Sequence, residues 1–422
     1  MKNVSFDSGC DGSVILYLYM NNNRIITIIG IILFVMAGYG EVKSQIGNND
    51  LIIVDVTKNY SSKKELILQD FMDVEYIALE TNDEFVNQGV VLDVGEKLIL
   101  LKNRINDGNI FVYDRKGKAL RKINRKGQSG EEYINIYSIT LDEVNKEMFV
   151  CDRGKIIVYD FFGKFIRNFR NLDNLMMSYT KIYNYDKDNL ICYDKDNSKI
   201  PFVLISKQDG RITQEIKIPF VEKKNLQQKQ PISGMNVPPN IQIPDGFQVG
   251  RMASALDAYR PIIPYNGNWI LLEFSSDTIY TFLPDYNLRP IIARTPSIQS
   301  MSLEVMLTLR LVTERYYFME TIRNEYNFDN ETGFPRTYFI YDKKEKKLSQ
   351  YAVYNGDFLN KKEIYMFGFT PVKHECESWY KLETYQLVED YKKGILKGKL
   401  KEIVSKLDED DNPVIMLVKH RK

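Results

Sequence analysis

The segment "NRKGQSGEEY", residues 124–133, concentrates residues able to do chemistry. Arg121, Lys122, Arg125 and Lys126 lead into Gly127 and Gly130, and Glu131, Glu132 and Tyr133 follow. Basic side chains beside glycines suit a phosphate cradle, in which backbone N–H groups and a helix N-terminus meet the anion. That cradle needs GxxxxGK[ST] between a strand and a helix. Here no Lys-Ser pair follows the glycines, and the next stretch, "YINIYSITLD", reads as a strand. A nucleic-acid patch is equally poorly served, because Glu131 and Glu132 offset the basic run at once. What remains is a loop between two strand units. Arg125, Lys126, Gln128, Glu131, Glu132 and Tyr133 are its candidate ligand-binding residues, since loops held by a rigid scaffold often carry binding groups. The same residues also suit a plain turn, with Tyr133 packed between units, its hydroxyl bonded locally, and the charges solvated.

Other chemistry is sparse. The only histidines are His374 and His420, which confines imidazole catalysis and metal ligation to those two positions. In "KHECESWY" (373–380) neighbouring side chains on a strand would face opposite ways, so only His374 and Cys376 converge, and two ligands do not complete a zinc site. "DKDN" occurs at 186–189 and 194–197 with calcium-like residue types, yet neither copy continues as an EF-hand loop and both read as turns. The reading therefore names no metal site and no cofactor, calcium being the one ion the chemistry would admit. No GxSxG is present, and a pair of carboxylates from distant segments would leave no mark in sequence.

The balance of charge excludes further classes. Lys plus Arg number 57 against 56 Asp plus Glu, so no global field recruits nucleic acid or an anionic membrane. "RIITIIGIILFVM" (24–36) sets one arginine before a twelve-residue apolar run, with small residues after it in "AGYGEVKSQ". This is the grammar of a secretory signal. Twelve apolar residues fall short of the roughly 20 that a spanning helix needs. The expectation is an upstream extension with Met20 as the start, a signal over about 20–44 cleaved after Gly40 or Ser44, and a mature chain with no transmembrane span. An uncleaved anchor or a buried core segment is the alternative.

The elements that must position any site come from a repeat. "KLILLKNRINDGNIFVYDRKGKALRKI" (97–123) is two strand-like runs and a third after "DRKG". "EMFVCDRGKIIVYDFFGKFIRNF" (147–169) and "NLICYDKDNSKIPFVLISKQDGRITQEI" (189–216) repeat it, and 268–293 and 315–353 are looser copies. The anchor residues are Asp114, Asp160, Asp209, Asp285 and Asp342, separated by 46, 49, 76 and 57 positions. Asp and Gly at these turns supply the backbone angles a hairpin requires. Four short strands in about 45 residues are the size of a propeller blade, and 28 Tyr with 22 Phe suit strands. A sixth blade, shared between "LIIVDV" (51–56) and "NPVIMLVKHR" (412–421), would close the ring and remove exposed edges. Seven blades is the next count. The 76-residue gap coincides with 219–264, which holds seven of the fourteen prolines and reads as an inserted loop. "GKLKEIVSKL" places Leu400, Ile403, Val404 and Leu407 at helical spacing. Cys151 and Cys192 occupy the same position of successive copies and read as small buried apolar side chains, although an oxidising compartment would permit a disulfide.

The expected architecture is all-β: a single six-bladed β-propeller domain over 45–422, with a Pro-rich insertion at about 219–264 and a short C-terminal helix. "MDVEYIALET" (72–81), "IFVYDRKGKALRKINRKGQSGEEY" (110–133), "IIVYDFFGKFIRNF" (156–169) and "DEDDNPVIMLVK" (408–419) resemble the exported "6-bladed beta-propeller" proteins of Bacteroides-like bacteria, related to NHL-type repeats. The likeness spans most of 50–420. It implies a propeller exported to the periplasm or cell envelope, without a settled reaction. Many such proteins carry Gly-Pro-Gly-Glu-Tyr where this chain has "GQSGEEY", which puts any role of a rigid loop there in doubt, and many are lipoproteins, for which this chain lacks the cysteine. The functional expectation is a ligand- or protein-binding module whose partner is an envelope protein, a glycan or a small molecule, and not nucleic acid. The rival is an NHL- or lactonase-like hydrolase or lyase acting on a small molecule or glycan; the scarcity of histidine favours binding over catalysis.

Overall fold

The computed structural model describes residues 51–421 apart from 153, 170–178, 196, 232–249, 256–258 and 373–376. The expected signal segment, and His374 with Cys376, lie outside the described residues.

Six antiparallel blades form a ring. Blades 1 to 5 occupy residues 90–124, 138–169, 179–216, 262–295 and 305–354, each with its strands in sequence order from the axis outward. A small ribbon, Tyr326–Asn327 with Thr332–Gly333, hangs from blade 5. Blade 6 takes Thr370–Pro371, Glu377–Leu382 and Val414–His420 from one end of the chain and Met72–Ala78 from the other. Met72 lies opposite His420 and Ala78 opposite Val414, so the ring is closed by a seven-residue antiparallel ladder. The count of six holds, and so does the closure between the two ends.

The closing strand is not the one expected. Ile52–Asp55 pairs in parallel with the outer strand of blade 4, and Lys63–Ile67 in parallel with the outer strand of blade 5, each as a fifth strand. "LIIVDV" alternates like an edge strand, with Val54 and Val56 buried and Ile53 exposed, and that pattern fits any outer edge of the ring. The expected helical segment is present but not alone. Gly398–Val404 is helical, burying Leu400 and Val404, but a second helix, Thr384–Lys392, precedes it, and both lie between two strands of blade 6. Within the proline-rich insertion, Gln227–Pro231 pairs with Gly250–Ser254 as a separate ribbon. The insertion also ends earlier than 264, because Ile262–Tyr265 is the inner strand of blade 4. Pro264 is tolerated there since an innermost strand has one unpaired edge.

The anchor aspartates close the outer hairpins. Asp114 Oδ1 accepts from the N–H groups of Lys116 (2.8 Å) and Lys118 (2.9 Å), and Asp160 Oδ1 repeats this with Phe162 and Lys164. Gly117 completes the first turn at φ +84°, where a Cβ would also stand 2.1 Å from the Ala78 carbonyl oxygen. Between blades the sheets pack through Leu, Ile, Val and aromatic side chains. Leu100, Ile110, Val112 and Tyr133 meet Ile139, Val150 and Tyr159 between blades 1 and 2. Cys151 and Cys192 lie together in the core of blades 2 and 3 as free thiols, not as a disulfide. Burial pushes the Cys151 thiol up to about 12, so it stays protonated and behaves as the small apolar residue the repeat suggested.

Closure is reinforced by a buried polar hub. Asn412, 2% exposed, accepts from the Asn87 N–H (2.9 Å) and donates to the carbonyls of Glu80 (2.8 Å) and Phe85, while its own N–H reaches Thr81 (2.9 Å). One side chain thus ties the turn before Val414–His420 to the loop leaving Met72–Ala78.

Candidate functional site

Where the inner strands of blades 1, 2, 3 and 6 face one another, a cavity of about 230 Å³ opens. Its walls include Asp93, Ser138, Thr140, Lys181, Tyr183 and Asn184 from those strands, Trp379 from blade 6, and Tyr259 and Arg260 from the segment leading into blade 4. The volume lies below the roughly 300–1,000 Å³ of drug-sized pockets, which suits a small ligand.

A polar residue stands at or next to the end of each of the inner strands of blades 1, 2 and 3. Asp93, Asp142 and Asn184 each stand five residues before the second strand of blades 1, 2 and 3, which begin at Leu98, Glu147 and Asn189. The three are used differently. Asp93 accepts from the N–H groups of Val94 (2.9 Å) and, across the blade boundary, Leu141 (2.8 Å). Asp142 pairs with Lys207 (2.5 Å) of blade 3, burying both. Hydrogen bonds and charge from Lys207 outweigh burial and hold the Asp142 carboxyl below the usual range. Asn184 is 8% exposed, and its Oδ1 has no hydrogen-bond partner among the described residues.

Glu143, the other carboxylate lining the cavity, accepts from the N–H groups of Glu96 (2.8 Å), Lys97 (2.8 Å) and Leu98 (3.1 Å). It clamps the blade 1 hairpin, and Gly95 lets it approach, for a Cβ there would lie 2.6 Å from Glu143 Oε1. Both lining carboxylates are thus occupied by backbone donors.

Arg260 carries the opposite charge into the same space. Its guanidinium donates to the Phe369 carbonyl, joining the segment before blade 4 to the segment before blade 6. Burial pushes its pKa down to about 10, against some support from Tyr183 and with a further downward push from Arg310. No carboxylate among the described residues pairs with it.

The loop singled out in sequence is built otherwise. Residues 124–133 join the outer strand of blade 1 to the approach of blade 2, and Tyr133 is fully buried. The Tyr133 hydroxyl donates to the Gly108 carbonyl (2.7 Å) and accepts from the Arg125 N–H (2.9 Å), while its ring meets Tyr159 edge-on at 6.1 Å. Arg125 Nε donates to the Gly163 carbonyl (2.7 Å), Lys126 to the Asn106 carbonyl, and the Ser129 N–H to Glu132 (3.0 Å). These bonds from Ser129 hold the exposed Glu132 carboxyl below its usual range. Gln128 and Glu131 are exposed. None of the six residues lines the cavity.

The turn readings of "DKDN" hold: Asp186 Oδ1 accepts from the N–H groups of Asp188 (2.8 Å) and Asn189 (2.7 Å), and Asn197 serves the second copy in the same way. Among the described residues no three His, Cys, Asp or Glu side chains converge as a metal site. Sequence reasoning missed Asn184 and Arg260. The five-residue offset shared with Asp93 and Asp142 was a weak signal for Asn184, because the strand register sets it level with Leu141 and Val94 instead. Arg260, alone beside Pro261, offered none.

A family model described as "Domain of unknown function (DUF4934)" matches residues 51–419. None of the curated proteins matches the chain in sequence. Among solved structures, a Bacteroides fragilis protein described as exported is similar at a TM-score of 0.54 and 16% identity, covering 85% of this chain and 99% of its own. Looser likenesses are a streptogramin B lyase (TM-score 0.34, 8% identity, 83% and 99% covered) and a Bacteroides thetaiotaomicron protein of unknown function (0.33, 9%, 86% and 75%). At 16% identity the likeness to the Bacteroides fragilis protein speaks to the fold alone.

Proposed function

The chain belongs to the family described as Domain of unknown function (DUF4934), and from that footing we propose that this propeller is an exported binding module of the cell envelope, holding a small ligand in the cavity at the centre of its ring. The observation that carries the reading is that the cavity gathers polar side chains from separate blades, with the buried Asn184 oxygen unmet. Buried polar groups ordinarily find partners, and an unmet one beside open space is a place where a ligand gains a bond at no cost to the fold. A contribution from the loop 124–133 rests on its exposed Gln128 and Glu131.

The test is a ligand-observed NMR screen of residues 45–422 against a library of small sugars, acids, amines and amides. Hits are expected, displaced from the Asn184→Leu variant and less affected by a Gln128→Ala, Glu131→Ala double variant. A screen with no hit of any charge class sinks the reading. Export rests on the "RIITIIGIILFVM" segment, on the exported description of a structural relative, and on the absence, among the described residues, of a helix long and apolar enough to cross a membrane. Mass spectrometry of protein from its native envelope should find a chain beginning after Gly40 or Ser44; a chain still carrying Arg24 would refute cleavage.

A further inference from the structure

Three guanidinium groups crowd one side of the ring's interior against a single carboxylate. Arg310 is 1% exposed and pairs with Glu320, which is fully buried and also receives Arg336 at 2.8 Å. Arg260 lies close enough to Arg310 for the two charges to oppose each other. Glu320 is already shared by two arginines, and Asp93 and Glu143 point their oxygens at backbone N–H groups. The positive charge of Arg260 therefore faces the cavity with only the Phe369 carbonyl as a hydrogen-bonded partner among the described residues. An arginine has five N–H donors in a planar fork, and a partly buried one that faces no carboxylate among the described residues has donors left for an anion.

Asn184 supplies an independent observation. It is buried and lines the same cavity, with an unmet oxygen. An aspartate there would have put a negative charge into the same cavity. The amide keeps the shape and leaves the charge of Arg260 available.

Resting on the reading of this cavity as a ligand site, we propose that its ligand is a small molecule bound through an oxyanion, carboxylate or phosphate. Arg260 receives the anion as a planar donor pair, and Asn184 bonds a neutral donor, such as a hydroxyl, on the same molecule. A guanidinium matches either anion in a two-pronged arrangement. Tyr183, Tyr259 and Trp379, which also line the cavity, give the rest of the molecule an apolar wall.

The experiment is isothermal titration calorimetry of residues 45–422 with D-glucuronate, D-glucose, acetate and inorganic phosphate. Arg260→Gln, Arg260→Lys and Asn184→Asp variants are titrated alongside, and each is first shown to melt cooperatively. Glucuronate or acetate binding with phosphate silent identifies a carboxylate; the converse identifies a phosphate. Whichever anion binds should lose about 10- to 100-fold in affinity in Arg260→Gln, the worth of a hydrogen bond to a charged group. The loss should be comparable in Asn184→Asp, which puts a competing negative charge into the cavity, and Arg260→Lys should retain part of the affinity. Should Arg260→Gln fail to fold, Asn184→Asp carries the same decision. Glucose binding as well as glucuronate, no probe anion binding, or Asn184→Asp leaving anion affinity unchanged would each overturn the oxyanion assignment. If neutral compounds from the library screen then still bind and depend on Asn184, the cavity remains a ligand site of another class; if nothing binds at all, the binding-module reading fails with it.

Discussion

The loop at 124–133 and the central cavity are opposites in how they use polar groups. The loop is rich in charge and glycine, yet its backbone and most of its polar side chains bond within the loop or to the neighbouring blade. The cavity draws single residues from separate segments, and two of them, Asn184 and Arg260, keep bonding capacity in reserve. Saturated polar groups make structure, because each buried donor or acceptor left open carries a penalty of about 1–3 kcal/mol. Reserved ones are tolerated where something else benefits. The contrast teaches that a conspicuous run of charge can be largely bonded up, while polar groups with capacity to spare come from inconspicuous residues.

The largest expected effect lies on the structural side. Tyr133→Ala removes a fully buried ring, its edge-on contact with Tyr159 and two hydrogen bonds. Large aromatic-to-alanine changes in cores cost about 3–5 kcal/mol, and this one should fall near 4, read by urea-induced unfolding. A loss under about 1 kcal/mol would mean that the loop does not join blades 1 and 2 as described, and the comparison would break on that side.

A second prediction uses an unmet polar group that lines no cavity. His420 ends the closing ladder with both ring nitrogens buried and without a partner. Burial, helped by Lys343, takes its pKa down to about 4. Between the ordinary imidazole value near 6.5 and 4, the unfolded chain binds a proton that the folded chain refuses. Stability is therefore intact above about pH 6.5 and falls as pH falls through that window, by about 3 kcal/mol. Unfolding free energies from pH 7 to pH 4 should show this decline in the natural chain and a much shallower one in His420→Phe. Below about pH 4 both lose further stability, because the unfolded chain then takes up protons at Asp142 and Asp342 that the depressed carboxyls of the folded chain refuse. Equal slopes above pH 4 would show that His420 is not buried neutral, and that unmet groups outside the cavity carry no such cost.

Much of the fold was legible because hairpins write themselves locally. Asp114 and Asp160 mark their turns by side-chain bonds to residues two and four positions on, so a five-residue window suffices. Which terminal strand closes the ring was not local. Ile52–Asp55 and Met72–Ala78 both read as strands, and only their partners, more than 200 residues away, distinguish an outer fifth strand from the closing one. The helix Thr384–Lys392 escaped notice for a related reason: Leu387 and Val388 are its principal buried apolar residues, too few for a clear periodic stripe. The candidate site was least legible. The loop stood out because glycine and charge were adjacent in sequence, whereas Asn184 and Arg260 are 76 positions apart and meet only because the ring turns blades 3 and 4 toward one axis.

Two buried asparagines give the finest form of the comparison. Asn412 at the closure and Asn184 in the cavity are 2% and 8% exposed, so burial does not distinguish them. Their bonding does. Asn412 spends its side-chain oxygen and amide on backbone groups of 80–87, whereas the Asn184 oxygen is spent on nothing described. Replacing each by leucine of similar volume applies the same chemical change to both. At Asn412 the change strands an N–H and two carbonyls and should cost about 3 kcal/mol. At Asn184 it removes an unmet acceptor and adds apolar surface to the cavity lining, so stability should hold or rise by up to about 1 kcal/mol. Paired thermal melts of the two variants measure the difference directly. A loss at Asn184 as large as that at Asn412 would mean that its oxygen is already bonded in the free protein, and the site would then hold no reserve for a ligand.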